Sequence, residues 1–428
     1  MRSELYSKVL KVVSARRFVV AAMIAAMLLA VDYFCNNLTF PIFDTSSRLL
    51  VHSYLYDHDK GEASDSDLVA VNVAYDKTLA DAYNEFDEQI GYIPVTDREK
   101  LARFLKIASQ ADYRYIFIDV SFPYDISTPA DSSLFAQINS MNNVVVSVHR
   151  DDMSQDDEEE VEKFAARNPD LSADKMAYAD YRLIKGNAFS KYEFLQDGHE
   201  SVALRMYRDL DGGTIKEGLV GYTDNGRPCY NMQFITLPKR ILLSEKMDGE
   251  IRYPYLTGHF FARHTDEELA GMLNGKIIVI GDYENDMHDT LIGPVPGPML
   301  SYYAYRSLAD GRHLVNWWLQ LFMFCLYTAL GYWTLSATSV SEARWSNRRG
   351  RTLATVMVMY FMGTGVILGA VDLVIYFLFA DSYTIIIPTI VFTLLSARRR
   401  MRYMAIIVKR RLTGARKAKS ETLPITQS

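Results

Sequence analysis

Residues 275–281 read Gly-Lys-Ile-Ile-Val-Ile-Gly, an apolar run between two glycines that predicts a strand buried on both faces. Residues 115–120, Tyr-Ile-Phe-Ile-Asp-Val, predict a second strand of the same kind. Residues 68–73 and 144–148 are rich in β-branched and apolar residues and predict two more. Strands without a polar face are typical of parallel sheets, which helices cover on both sides. The four runs therefore predict a mainly parallel sheet.

Helical patterns separate these strands. Thr96-Asp97 offers an N-cap for a helix over residues 98–109, whose apolar side chains recur on one face. Ser132 or Ser133 can cap a short helix that ends at Met141, and residues 299–309 predict a later helix. Strands that alternate with helices in this way predict an α/β domain.

The segment between residues 198 and 255 is less regular. Residues 201–210 predict a helix, which a turn and a strand follow. Residues 231–243 resemble a buried helix interrupted by Pro238, and residues 249–255 resemble a strand. We expect mixed helix and strand in this part of the chain.

Apolar stretches without Lys or Arg flank the α/β pattern, at residues 18–35, 314–335 and 353–397. A helix needs about 20 apolar residues to cross a bilayer. The last stretch is too long for one helix, and Asp381-Ser382 interrupts it, so we predict two helices there. The first stretch could also be a signal peptide, but no small-x-small cleavage site follows it, which favours a retained anchor. The sequence thus predicts about four transmembrane helices, one N-terminal and three C-terminal.

Charge predicts the orientation of these helices. Residues 1–17, 336–352 and 398–428 hold 19 of the 46 basic residues and 3 of the 52 acidic ones. Basic segments stay in the cytoplasm during insertion, so both termini are expected there and the acidic middle segment outside. We therefore expect a multi-pass protein of the cell membrane, such as a bacterial inner membrane. The predicted segments are a cytoplasmic N-terminus over 1–17, transmembrane helices over 18–35, 314–335, 353–379 and 383–397, an extracytoplasmic domain over 36–313, a cytoplasmic loop over 336–352 and a cytoplasmic tail over 398–428.

Three features leave alternatives open. Cys35 and Cys229 could pair outside the membrane, but nothing in the sequence requires it. Asp372 could be a functional carboxylate that faces other helices, or it could mark a loop near the outer surface, which we slightly favour. The basic tail could lie on anionic lipid or bind a protein partner. The acidic middle segment makes nucleic acid an unexpected partner.

Several residue groups together resemble a known family. They are Asp44 to Arg48, Ile118 to Phe122, Gly275 to Gly281 with Asp289-Thr290, Pro296-Gly297, Ala304 and Leu308 to Gly311. In this order, with one apolar stretch before and about three after, they resemble the CHASE type-2 domain, the second family of CHASE extracellular sensory domains. The resemblance covers residues from about 43 to the last predicted helix.

The resemblance implies a function in signal input. CHASE domains usually precede a cytoplasmic kinase, cyclase or similar effector, but 31 residues after Ala397 are too few for such a domain. We therefore expect a small-molecule or protein ligand outside and a separate cytoplasmic or membrane protein partner. The rival interpretation is a structural or assembly component of an envelope complex. We expect no enzyme, since Gly-x-Ser-x-Gly, His-Glu-x-x-His and the Walker pattern are absent from the sequence.

A candidate ligand site follows the strand at residues 275–281. Open α/β sheets bind ligands outside the carboxyl ends of their strands, and polar side chains cluster there. Carboxylates at this edge could bind a cation or the amine of a small ligand. The alternative is a polar loop in which Asp289-Thr290 caps a turn. One His without an obvious second ligand predicts no metal, and we expect no cofactor and no catalytic residue. The candidate ligand-binding residues are Asp119, Asp282, Asp286, His288, Asp289 and Thr290.

Overall fold

The computed structural model describes most of two compact units of the chain. The helical unit comprises Met1–Cys35, Thr45–Val51 and Asn316–Ser428, and the α/β unit comprises Asn36–Asp44 and His52–Val315. The described residues are 2–37, 66–83, 89–122, 126–148, 171–179, 183–184, 188–189, 191–196, 198–233, 235, 246–247, 250–251, 253–290, 293–336, 353–379 and 386–396.

The helices and strands are numbered in chain order. The helices are α1 (Arg2–Asn36), α2 (Arg98–Ala108), α3 (Asp131–Ser140), α4 (Val202–Asp211), α5 (Asp266–Leu273), α6 (Gly297–Ala309), α7 (Trp317–Ser336), α8 (Leu353–Phe379) and α9 (Ile386–Ser396), with a 3-10 turn at Ala173–Lys175 and a π-helix at Leu256–Phe261. The strands are β1 (Leu68–Asn72), β2 (Lys77–Tyr83), β3 (Gln89–Thr96), β4 (Tyr115–Asp119), β5 (Val144–Val148), β6 (Met176–Tyr178), β7 (Leu183–Ile184), β8 (Ala188–Phe189), β9 (Tyr192–Glu193), β10 (Leu195–Gln196), β11 (His199–Glu200), β12 (Ile215–Gly218), β13 (Gly221–Asp224), β14 (Arg227–Cys229), β15 (Met232–Gln233), β16 (Lys246–Met247), β17 (Glu250–Ile251), β18 (Ile277–Gly281), β19 (Met287–Thr290) and β20 (Gly293–Pro296).

A five-stranded parallel sheet forms the centre of the α/β unit, and it contains the four predicted strands together with β6, which was not predicted. Its strand order is β1-β18-β4-β5-β6, and every pair is parallel. The late strand β18 lies between the two early strands β1 and β4. This insertion brings Asn72, Gly281 and Asp119 into one row at the carboxyl edge of the sheet.

Each face of the sheet packs against its own apolar layer. One face holds alternate residues such as Phe117 and Val279 and packs against α4 and α6. The other face holds residues such as Ile118 and Ile280 and packs against α2, α3, α5 and the π-helix. All of these strands are buried on both sides, which is why they lack a polar face in the sequence.

Local hydrogen bonds set the start of the helices on the second face. Asp97 caps α2 as predicted, because its carboxylate accepts the backbone N–H of Lys100 at 3.1 Å. The predicted cap of α3 at Ser132 or Ser133 is wrong. The helix begins at Asp131, whose carboxylate accepts the N–H of Thr128 at 3.1 Å and pairs with Arg98. A buried ion pair across two helices therefore replaces a local serine cap.

The middle of the chain departs from its prediction. Residues 201–210 form α4 with Ser201 as its cap, as expected. The predicted helix at residues 231–243 is wrong at its start, because Met232–Gln233 is a strand that pairs with β9, and residues 236–245 lie outside the described residues. Within the described residues of the predicted strand at 249–255, the strand comprises Glu250–Ile251. Long-range pairing thus decided the backbone here, not local pattern.

Two helices have the length and the apolar composition of a membrane span, Ser14–Asn36 and Met357–Ile375, within the described part of the chain. They lie in α1 and α8, which contain the predicted spans at 18–35 and 353–379. Residues 317–336 form an apolar helix where the span 314–335 was predicted, and α9 is shorter than the span predicted at 383–397. The prediction of four transmembrane helices is therefore not confirmed, although anchoring in a membrane is indicated.

The helical unit has its own apolar core. It includes Ala25 and Leu28 of α1, Tyr327 of α7, Leu368 of α8 and Phe392 of α9. Asp372 is not in a loop, as slightly favoured from the sequence, but inside α8 with 2% of its surface exposed.

Several predictions concern residues with little or no description. Residues 337–352 of the predicted cytoplasmic loop 336–352, and the predicted tail 398–428, lie outside the described residues. Cys35, Cys229 and Cys325 are thiols in the structure, so the pairing of Cys35 with Cys229 that the sequence left open is not formed there.

Candidate functional site

The carboxyl edge of the central sheet is the starting point of the site. Asn72 ends β1, and its side-chain oxygen accepts the N–H of Ala74 at 2.9 Å and of Tyr283 at 3.4 Å. Its amide nitrogen donates to Glu284 at 3.5 Å, and Tyr255 also donates to that carboxylate. These bonds tie the loop after β18 to the end of β1.

Asp119 ends β4 and is buried, with 6% of its surface exposed. Its negative charge acts on the phenols of Tyr192 and Tyr283, which lie on the same face as α6. Burial raises the pKa of Tyr192 to about 12, so this phenol stays protonated and can share a hydrogen bond with Ser301 at 3.4 Å. Asp119 therefore lies inside the domain, beneath α6, and not in an open loop.

The first turn of α6 packs directly on this edge. A Cβ added at Gly281 would lie 2.4 Å from Cγ of Pro298 and 3.2 Å from the backbone oxygen of Asp119. Such approaches exclude any side chain at Gly281 unless α6 moves. The glycine at the end of β18 is thus explained by a close approach of helix to strand.

Asp282 folds the loop back on itself. Its carboxylate accepts the N–H of Glu284 at 3.1 Å and of Asn285 at 2.8 Å, and Lys77 lies 3.4 Å away. Burial acts to raise the pKa of Asp282, but the hydrogen bonds from Asn285 and Glu284 and the charge of Lys77 outweigh it, so the pKa lies below the usual value. The carboxylate of Asp282 therefore stabilises the turn that follows β18.

Asp286 and His288 form a pair at the N-terminus of α6. His288 Nε2 lies 3.0 Å from Asp286 Oδ1, and the backbone N–H of Gly297 donates to the backbone oxygen of Asp286 at 2.9 Å. A Cβ at Gly297 would lie 2.3 Å from Asp286 Oδ2 and 3.1 Å from His288 Nε2. A carboxylate is favoured beside the positive end of a helix dipole. Both partly exposed side chains thus contact the start of α6.

Asp289 and Thr290 belong to a β-hairpin whose connecting residues, 291–292, lie outside the described residues. They lie in β19, where Asp289 pairs with Pro294 and Thr290 pairs with Gly293 of β20. Asp289 is exposed. The six candidate residues therefore separate into Asp119 beneath α6, Asp282 in a turn, the Asp286–His288 pair at the start of α6, and Asp289 with Thr290 on the following hairpin.

Asp76 is a buried carboxylate near the same edge that the sequence did not single out. It accepts the N–H of Thr257 at 3.1 Å and the ammonium of Lys100 at 3.0 Å. The hydrogen bond to Asp76 raises the pKa of Lys100, which keeps that side chain charged. Its position shortly after β1 was the available signal, since carboxyl ends of parallel strands share one edge.

The chain between α6 and α7 is hydrogen-bonded to the α/β unit. We call residues 228–231 the junction segment. The N–H of Val315 donates to the oxygen of Pro228 at 3.0 Å, and the N–H of Tyr230 donates to the oxygen of His313 at 2.8 Å. The N–H of Asn231 donates to the side chain of Asn37, directly after α1, at 2.7 Å. One short segment thus contacts the chain at both points where the α/β unit continues into an apolar helix.

Two carboxylates lie inside the helical unit. Asp32 of α1 and Asp372 of α8 are buried, and both charges act on the phenol of Tyr327 in α7. Each Asp lies on the stripe of its helix that faces the apolar core, four residues after Leu28 and Leu368 respectively. Charged residues in such positions are costly in a membrane and usually serve a function.

The described residues contain no group of three or more His, Cys, Asp or Glu side chains arranged to hold a metal ion. The fold is a parallel α/β domain flanked in sequence by apolar helices, which indicate anchoring in a membrane. The chain belongs to the CHASE2 domain family, whose model matches residues 19–336. This confirms the resemblance seen in the sequence, and CHASE2 is a typically extracellular sensory domain. No curated protein and no solved structure matches the chain.

Proposed function

We propose that this chain is a membrane-anchored sensory protein that binds a ligand at the carboxyl edge of its central sheet and passes the response through α6 to α7. The observation that carries the proposal is the position of α6. The helix begins at the Asp286–His288 pair and ends in a linker that is hydrogen-bonded to the junction segment just before α7. A separate cytoplasmic or membrane protein would receive the signal.

The packing of α6 supports a relay by movement of the whole helix. Every residue of α6 except Arg306 and Ala309 is buried. Close-packed helices shift between discrete arrangements and do not bend continuously. A change at Gly297 would therefore be transmitted along the helix to its end, shortly before Trp317 begins α7.

The ligand that fits this edge is a small cation or amine. Asp286 and His288 are partly exposed at the start of α6, and Asp119 places a further negative charge beneath the first turn. Residues 36–313 carry a formal charge of −19, which attracts cations from solution. We also propose that the domain is not an enzyme, because Asp282 and Asp286 bond to neighbouring protein groups in ways that stabilise the loop and the helix start.

We further propose the four-span topology, with both termini in the cytoplasm and residues 36–313 outside. The two span-like helices in α1 and α8, the apolar helix α7 and the shorter apolar helix α9 support it. The distribution of basic residues supports the orientation.

Thermal melting of the full chain in lipid nanodiscs tests the ligand site. Wild type is melted with a panel of small amines, amino acids and inorganic cations at neutral pH. We expect at least one compound to raise the melting temperature, because a ligand that binds only the folded state stabilises it. Asp286→Ala with His288→Ala should abolish this shift. Glu217→Ala, an exposed carboxylate of β12, is the matched control and should keep it.

Gly297→Ala refines the same test. The new Cβ would meet the flexible end of Asp286 and not the backbone, so the fold should hold while the Asp286–His288 pair is displaced. The ligand shift should fall with little change in the melting temperature without ligand. A ligand shift that survives both Gly297→Ala and the double alanine variant would show that the pocket lies elsewhere.

The structural or assembly role is favoured by one observation. The hairpin of β2 and β3 exposes Leu79, Ile90 and Tyr92, and in the described sheets these two strands pair only with each other. Exposed apolar patches and open strand edges are typical of docking surfaces. This role predicts that no compound raises the melting temperature. It also predicts that a photo-crosslinker placed at Tyr92 reacts in cells with one defined protein, and that Leu79→Ser suppresses this reaction.

A further inference from the structure

His313 is a fully buried titratable group near the start of α7. None of its surface is exposed, and Nε2 lies 3.0 Å from Oδ2 of Asp224, itself 3% exposed. The same carboxylate accepts the hydroxyl of Tyr207 at 3.0 Å and the N–H of Thr214 at 2.8 Å. An ionised carboxylate accepts all three, so the neutral imidazole carries its proton on Nε2.

The other ring nitrogen has a different environment. Nδ1 of His313 is buried and has no hydrogen-bond partner among the described residues. The rings of Phe194 and Tyr207 stand edge-on to the imidazole, with centroids at 6.5 and 5.4 Å. A proton added to Nδ1 would therefore be a buried donor without an acceptor there, which is unfavourable in a packed apolar site.

The backbone of His313 belongs to the linker that enters α7. Its oxygen accepts the N–H of Tyr230 at 2.8 Å, and two residues later the N–H of Val315 donates to Pro228 at 3.0 Å. The side chain and these two backbone bonds therefore hold the linker at the same place.

We propose that His313 is a proton-controlled latch, in which uptake of a proton on Nδ1 expels the imidazole from the Asp224 pocket and releases the linker from the junction segment. This is an input distinct from ligand binding at the start of α6. The latch and the proposed ligand response have one part in common, the linker between α6 and α7.

The charges around His313 fix the direction of the effect. Burial lowers the pKa of His313 below its usual value, and the opposing contribution of Asp224 does not overcome it. Cys229 stays a neutral thiol because burial raises its pKa to about 12, and burial and Asp224 together keep Tyr207 protonated by raising its pKa. Among the described residues, Asp211 and Arg227 act on Tyr207, and Arg312 pairs with Asp310 at 3.5 Å.

The sign follows from linkage. A released histidine has the ordinary pKa of about 6.5, so below that pH the released state binds more protons than the latched state. The latch is therefore fully stable above about pH 6.5 and weakens as the pH falls toward the lower pKa of the buried imidazole. Because one proton is taken up, the population of the released state can rise by up to about tenfold per pH unit in this window.

Amide exchange of the full chain in lipid nanodiscs, read by mass spectrometry and corrected for the intrinsic effect of pH, tests the latch. Wild type is compared at about pH 7.5 and about pH 5.5 without added ligand. Peptides over 228–231 and 310–316 should exchange faster at the lower pH, since Tyr230 and Val315 lose their acceptors. His313→Gln, which can still donate to Asp224 but does not titrate, should make both peptides insensitive to pH. His199→Gln, at an exposed histidine, should behave as wild type.

Equal protection of these peptides at both pH values in wild type overturns the latch, and so does an unchanged acid response in His313→Gln. If His313→Gln does not fold, labelled histidine in the wild-type chain decides. A His313 signal that titrates at its ordinary pKa while Val315 stays protected would overturn the proposal. The exchange experiment contains no ligand, so failure of the latch says nothing about ligand binding at the start of α6. Conversely, a melting temperature that no ligand changes says nothing about the latch.

Discussion

Arg98 shows at the residue scale how the α/β unit accommodates a buried charge. The guanidinium is 2% exposed and pairs with Asp131, donates to the backbone oxygen of Ile126 at 3.1 Å and lies 5.4 Å from the ring centre of Phe122. Removing one member of such a pair leaves the other charge buried without compensation. Loss of one partner of the Arg98–Asp131 pair should therefore destabilise the packing of α2 against α3. Replacement of both partners by apolar residues should cost much less.

Arg98→Met should destabilise the α/β unit by about 3–5 kcal/mol, because Asp131 would keep a buried charge. Arg98→Met combined with Asp131→Leu should recover most of that loss. Chemical denaturation followed by circular dichroism measures both. Arg103→Met, in an ion pair with Asp266 in which both side chains are more than half exposed, is the control and should cost less than about 1 kcal/mol. Equal losses in Arg98→Met and the double variant would contradict the account.

At the scale of elements, the contact between α6 and β18 positions the candidate site. Gly281 permits this contact, since Pro298 occupies the space where a side chain would lie. The same helix start holds Asp286 and His288, so the spacing between strand and helix determines the geometry of the ligand edge.

Gly281→Ala should destabilise the α/β unit by about 1–3 kcal/mol, because the added methyl group overlaps a proline ring and a backbone oxygen. Thermal melting of the full chain measures this. Gly271→Ala is the matched control, since that glycine lies in α5 with open space around it, and it should stabilise the protein by about 0.5–1 kcal/mol. A Gly281→Ala variant that melts like wild type would show that α6 does not pack as described.

Four of the five strands of the central sheet were predictable because they depend on local pattern, whereas β6 and the helix α5 were not predicted. Residues 144–148 match β5, and 115–120 matches β4 within one residue, since strands buried on both faces have unbroken apolar runs. The insertion of β18 between β1 and β4 was not predictable, because it depends on pairing across about 200 residues. The hairpin of β2 and β3 was not predicted. Its Pro94 is compatible with a strand because, in the described sheets, β2 and β3 pair only with each other.

The candidate site was only partly predictable for the same reason. The rule that ligands bind at carboxyl ends of parallel strands selects Asp119, Asp282 and Asp286 from the order of residues along the chain. It could not show that α6 covers Asp119, because the angle at which a helix crosses a strand end is set by tertiary packing. The partners Asp224 and His313 are 89 residues apart, and no local spacing connects them.

At the scale of the whole molecule, the apolar helices in the helical unit and the CHASE2 match are consistent with the membrane-anchored sensory protein that we propose. The buried carboxylates Asp32 and Asp372 fit this setting, because a membrane protein retains such costly groups where they face other helices. The proposed four-span topology places the α/β unit outside the cytoplasm.

Reporter fusions test that location most directly. Alkaline phosphatase, active only outside the cytoplasm, and green fluorescent protein, exported in a non-fluorescent form, are fused in turn after residue 170 and in the basic segments at residues 342 and 420. Because basic residues are retained in the cytoplasm, the account predicts phosphatase activity without fluorescence at residue 170, and fluorescence without phosphatase activity at the other two. Fluorescence at residue 170, or phosphatase activity at 342 or 420, would contradict it.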